Sequence, residues 1–475
     1  MIRRSFIPLM SLLLLGSLNA VSDSLSYMTL RAYHAMVLEN HPLARQAATL
    51  PEEAQSVLRM ARGGFDPQVN SGIDQKQLNG KEYWNIWQSK LEIPVWTGAD
   101  IRVAYDNNTG SELDPSLQTP AGGLSYVGLT VPIGQGLLID QRRATLRQAQ
   151  LAIEAADADM VRMINRLLLQ AAVDFCNWNF TYERYLLHEE ALRLAEIRFR
   201  AVRDRVLFGD LPAVDSLEAW IEVQNRQNVL TQSRVERDNA RFIAANHLWS
   251  DLGDPVVPGV GVVPSIDSTD LQAISDEEYS LLLLDVQEDH PDLLKLDVRL
   301  GQLEIDRRLA SEKLRPKLNL DYNFLRPGNS PWDLNDPSLR FNDNYKAGLR
   351  FSMPLFLREE RGKLGVTRLK IRQTSYERQQ AERELSTGVQ NVRNELTALG
   401  EQINIQTTQV DFGRQLLEAE QFRFNNGEGS VFLINVRENT LISSRIRLAE
   451  LRSRYASTRI RMYWAAGNLM SMSVR

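Results

Sequence analysis

Leu318-Asn319-Leu320-Asp321-Tyr322-Asn323-Phe324 alternates apolar with polar side chains, and Tyr345-Lys346-Ala347-Gly348-Leu349-Arg350-Phe351-Ser352-Met353 does so again. Successive side chains of a strand point to opposite faces of a sheet, so period two predicts two strands, each with one apolar and one polar face. The segment between them, Arg326 to Asn344, is rich in Pro, Gly, Asn and Asp and reads as a loop. Past the second strand the period changes. Leu357 to Phe424 has no proline, and Val389, Leu396, Ile403, Val410, Leu417 and Phe424 recur every seven residues. Sustained heptad spacing predicts a long helix packed against neighbouring helices. About 70 residues at 1.5 Å each make a rod of roughly 105 Å.

The first half carries the same order of elements. Asn40-His41-Pro42-Leu43 returns as Asp289-His290-Pro291-Asp292-Leu293, and Asp66-Pro67-Gln68 as Arg315-Pro316-Lys317, both 249 residues further on. Val131-Pro132-Ile133 returns as Met353-Pro354-Leu355 at 222, so the first half holds about 27 extra residues between its prolines. A duplication with one insertion explains both spacings. Strand patterns lie at Val69 to Gln75, Trp87 to Val95, Ile101 to Tyr105 and Val127 to Val131; two belong to the repeat and two to the insertion. A second rod follows, Leu137 to Leu207, with Ile164, Ala171, Trp178, Tyr185, Leu192, Phe199 and Val206 at heptad spacing.

Each rod stops at a glycine-bearing turn, Phe208-Gly209-Asp210-Leu211-Pro212 and Asn425-Asn426-Gly427-Glu428-Gly429, and with Gly209 aligned on Gly429 a shorter return helix follows each. The chain therefore divides into a first repeat over 21–250 (helix, strands about 65–133, long helix about 137–207, return helix about 213–249), a Pro- and Gly-rich linker over 251–276, and a second repeat over 277–475 (helix, strands about 316–354, long helix about 357–424, return helix about 431–469).

Residues 1–20 read as a signal peptide: Arg3 and Arg4, an apolar run from Phe6 to Leu15, and the small-residue site Leu18-Asn19-Ala20. Beyond it no stretch approaches the ~20 apolar residues of a spanning helix, so entry into a membrane requires a barrel. Trp87, Tyr105, Tyr126, Phe324 and Tyr345 gather in the strand regions, as in the aromatic girdles of outer-membrane barrels.

The composition is ordinary for a folded protein, with 43% apolar and 24% charged residues among 475. Basic and acidic side chains, 55 against 60, are spread along the chain and leave a net charge of −5, so no basic domain points to nucleic acid. One cysteine, Cys176, and five scattered histidines exclude a disulfide framework and a Cys/His zinc site. Gly134-Gln135-Gly136 lacks the third glycine of a dinucleotide loop, and His188-Glu189-Glu190 lacks the second histidine of a zincin helix and reads as a solvated face. No catalytic site, metal or cofactor is expected, and the chain does not read as an enzyme. His41 and His290, each before a proline, are expected to shape helix starts, and Cys176 to be a small packed side chain.

The export signal, the duplicated strand and rod unit, and the turn at the rod's far end resemble the TolC-like outer membrane efflux factors. The most specific element is Gly209 to Ala219, where Asp215 follows Gly209 by six residues and Ala219 by ten, similar to the family's periplasmic-tip pattern. The same count from Gly429 reaches Asn435 and Asn439, placing an amide where the family has an acid. The resemblance implies a mostly α fold with a membrane β-barrel portion, in which a duplicated strand-pair plus long helical-hairpin repeat forms, as a homotrimer, one barrel and a periplasmic α-helical tunnel. It implies residence in the cell outer membrane with a periplasmic extension, contact with outer membrane lipid, and docking to a periplasmic adaptor (membrane fusion) protein and an inner-membrane pump or ABC exporter. The function implied is the passive exit duct of a tripartite efflux or type I secretion system. The family's usual count is four strands per protomer, and the insertion adds either barrel strands or an extracellular hairpin. Gly209 and Gly429 are the expected tip turns. Near the narrow end of a threefold tube Asp215 and Glu438 would recur as acidic rings that favour cations, with Asn435 lowering the charge. The alternative is a periplasmic or surface coiled-coil tether or adhesin with a soluble β head, and behaviour in detergent separates the two.

Overall fold

A computed structural model describes residues 26–259, 261–329 and 343–470. Residues 1–20, where a signal peptide is expected, lie outside the described residues. The first half runs β1 (Ser26–Thr29), α1 (Leu30–Asn40), α2 (Pro42–Arg62), β2 (Gln68–Leu78), β3 (Lys81–Pro94), β4 (Asp100–Thr109), β5 (Leu124–Pro132), α3 (Gln141–Leu207) and α4 (Ala213–Ala245). The second runs β6 (Val262–Ser265), α5 (Asp276–Glu288), α6 (Pro291–Glu312), β7 (Lys317–Pro327), β8 (Tyr345–Ser352), α7 (Arg358–Asn425) and α8 (Val431–Ala465).

The duplicated His-Pro motifs have one local cause. His41 and His290 each hold an extended backbone as N-cap, and each ring Nδ1 accepts the backbone N–H two residues on, at 3.1 Å from Leu43 and 3.2 Å from Asp292. Pro42 and Pro291 occupy the first helical position, where a missing N–H costs nothing. The rings are therefore helix caps, and both are buried.

The described residues form two compact units: those within 34–172, 272–402 and 455–470 make one, and those within 26–33, 173–271 and 403–454 the other. The first holds a six-stranded antiparallel sheet in the order β2-β3-β4-β5-β7-β8. Asn79 (φ 52) and Gly80 (φ 76) join β2 to β3, both in the left-handed region that a two-residue type I′ turn demands. The two halves meet where β5 pairs with β7, Leu129 opposite Tyr322. The extra residues of the first half are strands of this sheet, since β3 and β4 lie between β2 and β5.

The turn from β5 into α3 explains Gly134-Gln135-Gly136. A Cβ on Gly134 would stand 2.2 Å from the Pro316 carbonyl, and Gly136 has φ +96. The buried Glu312 carboxylate accepts the N–H groups of Gly136 and Leu138 at 3.2 Å each, so the chain's own acid fills the loop. Nearby, the buried Asn165 donates to the Gly467 carbonyl at 2.7 Å and accepts from the Met470 N–H at 2.8 Å.

In the other unit, β1 and β6 pair in parallel. Tyr33, Phe175 and Trp178 pack as a fully buried aromatic group, with Tyr33–Phe175 centroids 4.9 Å apart and Phe175–Trp178 5.9 Å. Burial pushes the Cys176 thiol far up, as suits a packed side chain. The heptad residues Val410 and Leu417 form a core with Ile434, Leu441 and Leu448 of α8, which is the seam that their spacing predicts. His188 is half-buried rather than fully solvated, and burial lowers its pKa.

Candidate functional site

Two regions carry features that packing alone does not require. The first is the sheet, whose register divides its residues cleanly into two faces. Val69, Leu91, Val103, Val127, Phe324 and Tyr345 stand opposite one another in turn across all six strands and so share one face. That face exposes large apolar groups from edge to edge: Ile73 is 67% accessible, Leu349 63% and Phe351 67%, with Trp87, Ile101, Leu129, Leu320 and Tyr322 also exposed. A soluble protein rarely leaves so broad an apolar surface in water.

The opposite face is polar. Arg102 of β4 bonds Thr130 of β5 and lies 3.2 Å from Asp321 of β7, while Thr130 donates to Asp321 at 2.6 Å. Arg350 of β8 pairs with Asp321 at 2.7 Å, and Glu92 of β3 stands 3.5 Å from Arg102. A belt of alternating charge thus crosses five strands, with Asp321 only 8% accessible. One polar and one apolar face with period two is the pattern of a barrel wall between lipid and water.

The second region lies at the helix-hairpin ends. Gly209 (φ +83) bonds its N–H to the Val206 carbonyl and Asp210 bonds back to Arg205; Gly427 (φ +83) bonds to Phe424 and Glu428 to Arg423. Both are the left-handed turn in which glycine closes a helix. Gly427, not Gly429, is therefore the structural counterpart of Gly209, which corrects the alignment by two residues. Gly429 serves differently, since a Cβ there would stand 3.1 Å from the Phe424 backbone. On the corrected alignment Asp215 corresponds to Leu433, and Asn435 and Glu438 to Leu217 and Trp220. Asp215 sits half-buried in the first turn of α4, where the helix dipole favours an acid.

Glu438 is not a solvent-facing acid. It is 2% accessible, and its Oε2 accepts from Arg198 of α3 at 2.5 Å and from Arg226 of α4 at 2.7 Å. Arg198 also donates to Asn435 at 2.6 Å, and Arg226 to Glu222 at 2.8 Å and to the Ala191 carbonyl at 2.8 Å. Asn439 donates to Glu222 at 3.2 Å. Two guanidinium groups and two carboxylates thus balance in a buried network that joins the first hairpin to the second. Arg198 precedes Gly209, and Glu438 follows Gly427, by eleven residues, which puts the network roughly 16 Å of helix from each turn. Arg198, Arg226 and Glu222 were not singled out from the sequence. The available signal is that Arg226 falls at the 4-3 spacing Ala219, Val223, Arg226, Leu230, Ser233, and Glu438 between Ile434 and Leu441, so each puts a charge in a buried seam.

Among the described residues no helix is long and apolar enough to cross a membrane, and no group of His, Cys, Asp and Glu could hold a metal ion.

This architecture is similar to those of solved outer-membrane channels. The open state of the Neisseria gonorrhoeae MtrE outer membrane channel aligns at a TM-score of 0.66 with 14% identity, covering 96% of this chain and 94% of that one. CusC aligns at 0.65 with 15% identity over 92% of each chain. The Campylobacter jejuni CmeC outer membrane channel aligns at 0.63 with 13% identity, covering 98% and 94%. No curated protein sequence matches the chain. Residues 282–468 match the family model described as "Outer membrane efflux protein", so the resemblance to the TolC-like outer membrane efflux factors, a family of transport proteins, holds.

Proposed function

We propose that the protein is the outer-membrane exit duct of a tripartite efflux or type I secretion system, conducting its cargo passively as a homotrimer. The observation that carries this reading is the two-faced sheet. Its apolar face suits lipid and its charged belt suits a water-filled lumen. Among the described residues its edge strands β2 and β8 have no further strand to pair with, and hydrocarbon does not tolerate an open sheet edge. Closure with further copies removes both edges.

The hairpin ends bounded by Gly209 and Gly427 are, on this reading, the periplasmic gate that an adaptor and an inner-membrane pump or ABC exporter engage. The Arg198–Glu438–Arg226 network acts as a latch that holds the two hairpins of one copy together in the resting state. Asp215, which has no acidic counterpart in the second hairpin, supplies one carboxylate per copy at the narrow end. The test is reconstitution of detergent-extracted protein in planar bilayers. Discrete cation-preferring conductance, reduced in preference by Asp215→Asn at low salt, supports the reading; release of the protein from membranes by salt alone favours a tether with a soluble head.

A further inference from the structure

We propose that the inserted β3–β4 hairpin is part of the barrel wall, so that three copies close a barrel of eighteen strands. This inference rests on the channel reading above and adds the size and seam of its barrel. The second half supplies two strands to this sheet, β7 and β8, and a plain duplication would give four per copy; the described residues place six in one ladder.

Three features put the hairpin in the wall and not above it as a flap. First, β3 is 14 residues and β4 is 10, enough for a membrane-crossing strand, and their ladder runs unbroken from Asn85 opposite Thr109 to Pro94 opposite Asp100. Second, they continue both faces of their neighbours. Leu91 and Val103 fall in the apolar row, and Glu92 and Arg102 in the charged belt that ends at Arg350. Third, Trp87 packs edge-on against Tyr105 at 5.6 Å toward the end of the sheet that carries the Asn79-Gly80 turn, and Tyr345 stacks on Tyr322 at 5.8 Å. Aromatics therefore sit near one rim on inserted and duplicated strands alike, as in a girdle.

The seam between copies is β8 of one against β2 of the next. An even number of strands per copy leaves these two edges running in opposite directions, so the closed wall is antiparallel throughout. Their polar faces suit one another: when the strand ends are flush, Lys346 on β8 meets the acidic Asp74 on β2, and Arg350 meets the neutral amide of Asn70. At equal tilt a barrel's diameter grows with strand number, so the outlet is about 1.5 times as wide as four strands per copy would make it.

The test uses the full trimer in lipid vesicles, with Cys176→Ala as background and single cysteines at successive β3 positions from Gln88 to Ile93. A membrane-impermeant maleimide should label Gln88→Cys, Lys90→Cys and Glu92→Cys at least tenfold faster than Ser89→Cys, Leu91→Cys and Ile93→Cys. In parallel, oxidation of double variants pairing Asn70→Cys, Gly72→Cys or Asp74→Cys with Lys346→Cys or Arg350→Cys should lock copies together for at least one pair. Equal labelling of all six β3 positions in an intact trimer makes the hairpin a flap and overturns the inference while leaving the channel reading in place. A trimer in which no β2/β8 pair cross-links overturns the seam, and absence of any detergent-requiring trimer overturns both.

Discussion

Arg226 Nη2 lies 2.7 Å from Glu438 Oε2, and this ion pair, 7% and 3% accessible at its side chains, ties the return helix of the first hairpin to that of the second. Removing one member strands charge in a nearly dry seam. Replacing a buried pair outright can be neutral, but breaking it by halves typically costs about 3–5 kcal/mol. Glu438→Gln leaves both guanidinium groups without their shared carboxylate. The expected outcome is a lower melting temperature together with a larger open fraction in single-channel records. A variant that melts and gates like wild type would show that the network is not the latch.

The apolar sheet face makes a second prediction. Leu320→Arg or Leu349→Arg places a charge where the reading puts lipid, at a cost of roughly 2–4 kcal/mol near the bilayer midplane. The yield of heat-modifiable trimer should fall for both. Normal yield from both would mean that this face meets water.

The hairpin turns can be separated by substitution. Gly209→Ala and Gly427→Ala force a Cβ into the left-handed region, and each should cost about 1–2 kcal/mol in thermal unfolding. Gly429→Ala, without a left-handed angle, should act instead through its contact with Phe424. Stability unaffected at Gly427 but lost at Gly429 would restore the alignment that the sequence motif suggests.

Acid should weaken the start of α6. Burial holds the His290 imidazole below its ordinary value, with Asp292 opposing, and the Nδ1 that caps the helix must be unprotonated to accept. The fold favours the neutral ring. Its contribution is therefore complete above the ordinary imidazole value and is lost as pH falls through the depressed one. His290→Asn keeps an acceptor at the cap without titrating. The gap in melting temperature between wild type and His290→Asn should shift against wild type on going from pH 7.5 to 5, and a gap independent of pH would contradict the cap assignment.

What was legible in the sequence follows from how local the cause is. Period two at Leu318 to Phe324 and period seven at Val389 to Phe424 are backbone geometry written into composition, and both reappear as β7 and as the buried face of α7. Alternation alone starts the second strand at Trp87, whereas β3 begins at Lys81. The Asn79-Gly80 dipeptide, a type I′ turn signal, marks that boundary better than the alternation does. The hairpin end was harder to read. Two glycines two residues apart, Gly427 and Gly429, cannot be ranked by counting, because the choice depends on which one the chain puts at positive φ. The buried ion-pair network was hidden for another reason. Arg198, Arg226 and Glu438 lie far apart in sequence, and only helix packing brings them together.

A water-filled duct through a membrane carries ionic current, which recording from the purified protein in planar lipid bilayers reads out. The expected record shows discrete ion-conducting steps that require detergent-extracted trimer and whose open fraction rises in Glu438→Gln. A protein that forms stable trimers yet yields no conductance in either form, at any applied voltage the bilayer withstands, would contradict the duct reading.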